Sequence, residues 1–316
     1  MSALFPLQLS SLAPIQDTPQ QALLSKAVKQ CIESQCDKLI MVIRFEQAIS
    51  NIDAKWGQLQ ALLCSLYVTQ LQASYAMEKP LFDFTVVFES WAGYNVGLRP
   101  DLKMIFTTTT QDLNEAQKLN TERQKHDIQT MEVVTLPGYI DQSIQQSTQD
   151  VTEKLDAFDR VAVGGTFDHL HAGHKILLTM TALLANKSVV VGVTDDVMLQ
   201  SKKFHDQIES IDQRINNVRA FLDTIRHGLI FDIVPITDPF GPTITDSTIQ
   251  ALVCSKETEK GGDAVNTERS KRDFPPLALR LIDVISSDKV SIAGQDMVDL
   301  KISSTWIRKY IAEHDQ

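Results

Sequence analysis

Cysteine is scarce. The four thiols, Cys31, Cys36, Cys64 and Cys254, are scattered over 316 residues. Cys31 and Cys36 lack zinc-ligand spacing and further ligand partners, so reduced structural thiols are expected, not a disulfide framework. No apolar run reaches the roughly 20 residues that span a bilayer, so no membrane partner is expected. The opening Met1-Ser-Ala-Leu-Phe-Pro-Leu7 has no basic segment ahead of its apolar residues. No secretory leader is expected, and the cytoplasm is the default location, with a nuclear pool open. Positive charge is also in deficit: 30 Lys and Arg stand against 40 Asp and Glu, a net charge of −10. A general nucleic-acid binder needs a basic surface, so that class is excluded. Any anionic ligand must be met by locally gathered cations. A Walker loop, G-x-x-x-x-G-K-[ST], is absent.

The composition is that of a globular protein, 43% hydrophobic and 22% charged. The length exceeds one typical core, which predicts two domains. Residues 1–20 carry Pro6, Pro14 and Pro19 and are read as one short edge strand at best. Gln20–Cys36 reads as a helix, Lys38–Phe45 as a buried strand, and Gly57–Met77 as a long amphipathic helix. Phe82–Glu89, Leu102–Thr110 and Met131–Leu136 read as strands, and Asp112–Gln129 as helix or loose chain. This alternation predicts an α/β domain over residues 1–136, in which no catalytic constellation stands out. Residues 137–155 open with Pro-Gly and continue as polar, low-complexity sequence, a linker.

The second half, residues 156–316, holds the chemistry. Val161–Val163 reads as a strand, Gly164-Gly165 breaks it, and apolar residues from Ile176 fall at helical spacing. In an α/β sheet such a strand–turn–helix junction is where ligands sit. Paired glycines let a phosphate approach the backbone, and helix-start N–H groups favour anions. Thr166 adds a hydroxyl, and His169, His171 and His174 lie within six positions. Clustered imidazoles raise a zinc site, which needs three or four ligands. Asp168 is a candidate fourth, but no deaminase or protease signature is present, so no metal ligands are expected. Ser188–Val193, Phe231–Ile236 and Ala251–Cys254 read as further strands. Leu277–Ile282 with Val284 and Ile285 reads as the last.

Gly-Gly-Thr-Phe-Asp-His-Leu-His-Ala-Gly-His174 resembles the T-F-D-x-x-H-x-G-H signature of the nucleotidyltransferase superfamily. Near the C-terminus, Ile302-Ser-Ser-Thr-Trp-Ile-Arg308 is similar to that family's I-S-S-T-x-I-R. Alone this segment is an ordinary helix cap; paired with the first motif it suggests a phosphate cradle. Over residues 156–316 the chain most resembles eukaryotic-type phosphopantetheine adenylyltransferases. The resemblance implies a Rossmann-like parallel sheet, preceded here by a second, smaller α/β domain. It also implies transfer of AMP from ATP to 4′-phosphopantetheine, giving dephospho-coenzyme A and pyrophosphate, with Mg²⁺ accompanying ATP. Other enzymes of coenzyme A synthesis are candidate partners.

The implied roles follow residue by residue. Gly164, Gly165, Thr166, His171 and His174 would hold the nucleotide, with Thr166 and His174 on the α-phosphate. Ser303, Ser304, Thr305 and Arg308 would grip the β- and γ-phosphates. Lys202, with Lys203 in reserve, would hold the acceptor phosphate together with Thr166. Catalysis would rest on His174, Thr166 and Lys202. Arg214 resembles a motif arginine, and a helix-surface ion pair is an equal reading. Bacterial members carry R-G-x-R after the fourth strand; here Cys254-Ser-Lys-Glu-Thr258 stands there, leaving Lys256, Lys260 or Arg269 to supply anion contacts. His169 is expected to sit under the loop without chemistry. The rivals are a cytidylyltransferase, disfavoured because no Arg-Thr precedes Ser303, a nicotinamide-mononucleotide or flavin adenylyltransferase, and an inactive scaffold relative.

Overall fold

The computed structural model describes residues 1–45, 49, 51–137, 158–283 and 303–314. These fall into two compact α/β units, divided close to residue 154. The N-terminal unit contains β1 (Ser2–Leu9), α1 (Pro19–Glu33), β2 (Lys38–Phe45), α2 (Trp56–Ala76) and β3 (Asp83–Phe88). It continues through the one-turn α3 (Glu89–Ala92), β4 (Leu102–Thr107), α4 (Thr110–Lys125) and β5 (Glu132–Thr135). Its five strands are parallel in the order β3-β2-β1-β4-β5.

A parallel sheet covered on both faces needs strands that are apolar throughout. β2 meets this with Leu39, Ile40, Met41, Val42 and Ile43, all buried. β1 corrects the sequence reading: it is the eight-residue central strand, not a short edge. Proline argues against a central strand because it donates no ladder hydrogen bond. Here the pairing of β1 with β4 ends at Leu4, before Pro6, so the missing N–H interrupts nothing on that side. The strand predicted to reach Thr110 stops at Thr107. Thr109 and Asp112 form a reciprocal capping box there, which starts α4. α4 settles the helix-or-loose alternative for the polar stretch.

The C-terminal unit contains β6 (Phe158–Gly165), α5 (Ala172–Leu184), β7 (Ala185–Thr194), α6 (Ile211–Ile225) and β8 (Ile230–Ile236). β9 (Ala251–Ser255), α7 (Glu259–Ser270), β10 (Ala278–Ile282) and α8 (Ser304–His314) complete it. Its strands are also all parallel, in the order β10-β9-β6-β7-β8. The order reverses between β6 and β9, so the loops leaving their carboxyl ends diverge and open a crevice. The two motifs flank that crevice. Residues 138–155 of the predicted linker, and Val284, Ile285 and Ile302, lie outside the described residues. Among the described residues no helix is long and apolar enough to cross a membrane.

Candidate functional site

β6 delivers Gly164 and Gly165 to the carboxyl edge of the sheet. A Cβ on Gly165 would stand 3.1 Å from the Phe167 ring, a tight contact that glycine avoids. Phe167 and His169 then take left-handed backbone, with φ of +51° and +45°. Left-handed backbone is costly for non-glycine residues and persists where surrounding contacts fix it. The contacts are present. Phe167 is fully buried. The His169 N–H donates to Glu209 Oε2 at 2.8 Å, and its ring Nε2 lies 2.7 Å from the Gln207 carbonyl. His171 is the N-cap residue of α5, so His174 follows one turn along the same helix start.

The His171 and His174 rings stack, with centroids 3.9 Å apart. Both Nδ1 atoms are buried and have no hydrogen-bond partner. A buried N–H without an acceptor is costlier than a buried lone pair without a donor. We therefore assign the proton of each neutral ring to Nε2, which becomes a donor toward the cavity. Burial, then the Lys175 charge, pushes the His171 pKa down to about 4. Burial, then His171, holds His174 well below its ordinary value.

The second motif reaches the same place. In α8, the Ser304 hydroxyl donates to the Asp168 carbonyl at 3.0 Å, and Ser303 Oγ accepts the Trp306 N–H at 3.2 Å. Arg308 is 2% exposed and Asp168 fully buried. The Arg308 Nη1 donates to Asp168 Oδ2 at 2.5 Å, its Nε to the Lys203 carbonyl at 3.0 Å, and its Nη2 to Thr305 Oγ1 at 3.2 Å. Asp168 Oδ1 accepts the Glu209 N–H at 3.0 Å. One buried aspartate thus ties the turn, the loop before α6 and the start of α8. Arg214 makes a parallel tie: it is fully buried and donates to the carbonyls of Thr166, Thr194 and Glu209 and to the Asp196 carboxylate. The surface ion-pair reading of Arg214 is corrected by that burial.

Together these elements enclose a cavity of about 810 Å³. Gly164, Gly165, Thr166, His171 and His174 line it together with Ser303, Ser304, Thr305 and Arg308, and the exposed Lys202 stands on the rim. The volume is in the range of small-molecule sites. Lys203 and Lys256 are not among the lining residues. Lys203 contributes its carbonyl to Arg308, and Lys256 points to Asp283, with Nζ 3.9 Å from its carboxylate and 68% exposure. Arg269 is fully buried and donates to the carbonyls of Thr243, Asp246, Ile249 and Pro275, so it braces loops and meets no anion.

The sequence reading missed Asp168 as the tie. Its signal was position: a carboxylate between two motif residues, with an arginine as its natural counter-ion. Asp168, His169 and Glu209 present ligand atoms within 4.8 Å of one another. Their bonds to Arg308, Gln207 and backbone N–H groups already occupy them. Asp238 is the one carboxylate lining the described cavity, and its Oδ1 accepts the N–H groups of Phe240 and Gly241, both at 2.8 Å. A divalent cation would therefore be held mainly through a ligand's own phosphate oxygens and water.

Residues 162–309 match the cytidylyltransferase-like family. An uncharacterized protein of Schizosaccharomyces pombe is 34% identical over 258 residues, which is 81% of this chain and 80% of that protein. The alignment is longer than the C-terminal unit, so it includes part of the N-terminal one. A phosphopantetheine adenylyltransferase of Saccharomyces cerevisiae is 36% identical over 154 residues, 49% of either chain. One from Methanopyrus kandleri is 39% identical over 133 residues, which is 42% of this chain and 82% of that enzyme.

Proposed function

Because this chain belongs to the cytidylyltransferase-like nucleotidyltransferases and is related to phosphopantetheine adenylyltransferases, we propose that it transfers AMP from ATP to 4′-phosphopantetheine. The products are dephospho-coenzyme A and pyrophosphate. The observation that carries this reading is convergence: the Thr166–His174 turn and the Ser303–Thr305 hydroxyls line one cavity with a lysine at its rim.

An oxygen of the acceptor phosphate attacks the α-phosphorus in line. The bond from that phosphorus to the α,β-bridging oxygen breaks, and pyrophosphate leaves with the electron pair. This needs no covalent enzyme intermediate, so the chain works by positioning and charge stabilisation. His174 and Thr166 donate to the α-phosphate oxygens as charge gathers there. The neutral Nε2–H form suits that task without a proton transfer. His171 holds the nucleotide beside it. Lys202 orients the attacking phosphate from the rim. The hydroxyls of Ser303 and Thr305 and the N-terminus of α8 receive the departing pyrophosphate, while the Ser304 hydroxyl ties α8 to the Asp168 carbonyl. Arg308 acts there mostly by holding the hydroxyls in place, since Asp168, Lys203 and Thr305 engage its guanidinium. Mg²⁺, when bound with ATP, neutralises the triphosphate.

The test is pyrophosphate release from ATP with phosphopantetheine, phosphocholine and nicotinamide mononucleotide offered separately. Turnover with phosphopantetheine alone supports the reading. Turnover with either other acceptor replaces the substrate, and none with any acceptor favours an inactive relative.

A further inference from the structure

The two units share more than a fold class. Reckoned from each unit's own first strand, both sheets run 3-2-1-4-5. That order is common, so alone it carries little. A residue-level device carries more. In α4, Asn120 Nδ2 donates to the Met131 carbonyl and its Oδ1 accepts the Met131 N–H. In α7, Asn266 does the same with Leu277. Arg123 is fully buried and collects the carbonyls of Gly97, Arg99, Leu102 and Gln129. Arg269 is fully buried and collects those of Thr243, Asp246, Ile249 and Pro275. One offset carries Asn120 to Asn266, Arg123 to Arg269, Met131 to Leu277 and Gly97 to Thr243. The segments read Asn-Thr-Glu-Arg-Gln-Lys-His-Asp127 and Asn-Thr-Glu-Arg-Ser-Lys-Arg-Asp273. Both end on an aspartate with φ +56°.

The cavities correspond as well. The N-terminal unit holds one of about 490 Å³, lined by Gly97, Glu115, Ala116 and Leu119. The same offset takes these to Thr243, Gly261, Gly262 and Val265, which line the larger cavity. Glu115 thus stands where the C-terminal unit has Gly261, and Arg44, near the carboxyl end of β2, lines the same N-terminal cavity. Arg44 binds Glu115 at 2.5 Å and Glu89 at 2.8 Å. At the start of α4, Asp112 accepts the N–H groups of Thr108 and Thr109. The connection from β1 to α1, residues 10–18, contains no histidine and no cation.

We propose that the N-terminal unit is a second copy of the C-terminal fold whose remaining cavity is barred to a nucleotide by its own Arg44–Glu115–Glu89 bridge, leaving one nucleotide site per chain. The one-site statement rests on the nucleotide reading of the C-terminal cavity; the duplication does not. Two experiments separate them. Titration of the full chain with Mg²⁺ and α,β-methylene-ATP should saturate at one equivalent, and saturation at two would overturn the closed copy. No binding at all would sink the nucleotide reading and leave the duplication to the second experiment. There, residues 119–131 are replaced by residues 265–277. The exchanged chain should keep a cooperative transition for each unit, with midpoints within a few degrees of the parent. Because exchanged core residues could themselves misfit, Arg123→Lys and Arg269→Lys are compared by amide exchange. Equivalent devices should each loosen their own carbonyl loop, 97–102 or 243–249, to a similar extent. Loss of the first unit's transition together with a response in only one loop would overturn the duplication.

Discussion

Asp168→Asn tests the architecture of the site most directly. Both carboxylate oxygens accept: Oδ2 from Arg308 at 2.5 Å and Oδ1 from the Glu209 N–H at 3.0 Å. An asparagine in the same place has one acceptor and one NH₂ group, so it must turn an N–H against one of these donors. It also removes the counter-charge of a guanidinium that is 2% exposed. Breaking a buried pair by removing one partner costs about 3–5 kcal/mol. For a unit of this size that is a fall of roughly 6–20 °C in its unfolding midpoint. The carbonyl of the same residue holds Ser304, so the hydroxyl cradle loosens with the turn. The apparent KM for ATP should therefore rise more than that for the acceptor. The assay is thermal unfolding of the full chain, following the C-terminal transition, beside initial rates of pyrophosphate release with each substrate varied. Arg308→Met should cost a similar amount, and the double variant should lose less than the two singles combined, because neither leaves the other's charge unpaired. A single-variant cost below about 1 kcal/mol, or strict additivity, would refute the reasoning.

His174→Ala should remove about 3–5 kcal/mol of transition-state stabilisation, read as a drop in kcat of roughly two to four orders of magnitude. Its unfolding midpoint should stay near the parent's, and a purified variant with parental turnover would end the assignment. Lys202→Ala should raise KM for phosphopantetheine more than for ATP, as its proposed hold on the acceptor phosphate requires; equal effects would count against that role. The histidines also set a pH dependence. The folded pKa of His171, about 4, lies below its ordinary 6.5, so between these values the unfolded chain binds more protons. Stability should then be fully present above pH 6.5 and fall as pH drops toward 4. His171→Asn should flatten that slope in urea titrations, and an unchanged slope would exclude His171 as its source.

Much of this was legible in the sequence. Lys38–Phe45 announced a buried parallel strand because five consecutive apolar residues leave no polar face. The junction of Val161–Val163 with Gly164-Gly165 and His171–His174 announced a ligand edge. The central position of β1 was not legible, because local proline content says nothing about where a neighbouring ladder ends. The work of Arg308 was only half legible. A motif arginine suggests a phosphate, but its fate depends on Asp168, a partner on another element. Lys256 looked available because its pairing with Asp283 depends on a partner just past another strand. The recurrence of Asn-Thr-Glu-Arg at 120–123 and 266–269 was visible throughout. It passes unnoticed because four residues are weak evidence until each arginine is seen gathering the same set of carbonyls.

What separates a ligand-ready unit from a closed one of the same topology is a few side chains at fixed backbone positions. At Gly261 a Cβ would meet nothing within 4 Å. Packing does not demand glycine there; the space beside it is the cavity itself. At Gly192 a Cβ would press on Ile236 at 3.1 Å, so glycine lets that wall residue sit close to the strand. In the N-terminal unit Glu115 stands at the Gly261 position and Arg44 pairs with it. Opposite charges at hydrogen-bond distance satisfy each other and need no anion from solution. A cavity that is to take a triphosphate must instead keep its donors unengaged, as the Nε2–H groups of His171 and His174 do here, and must tie down its scaffold with other residues. Asp168, Arg214 and Arg269 perform that second task from below, through bonds to backbone and to one another's neighbours, which is why buried charge is abundant around a site whose working groups are few.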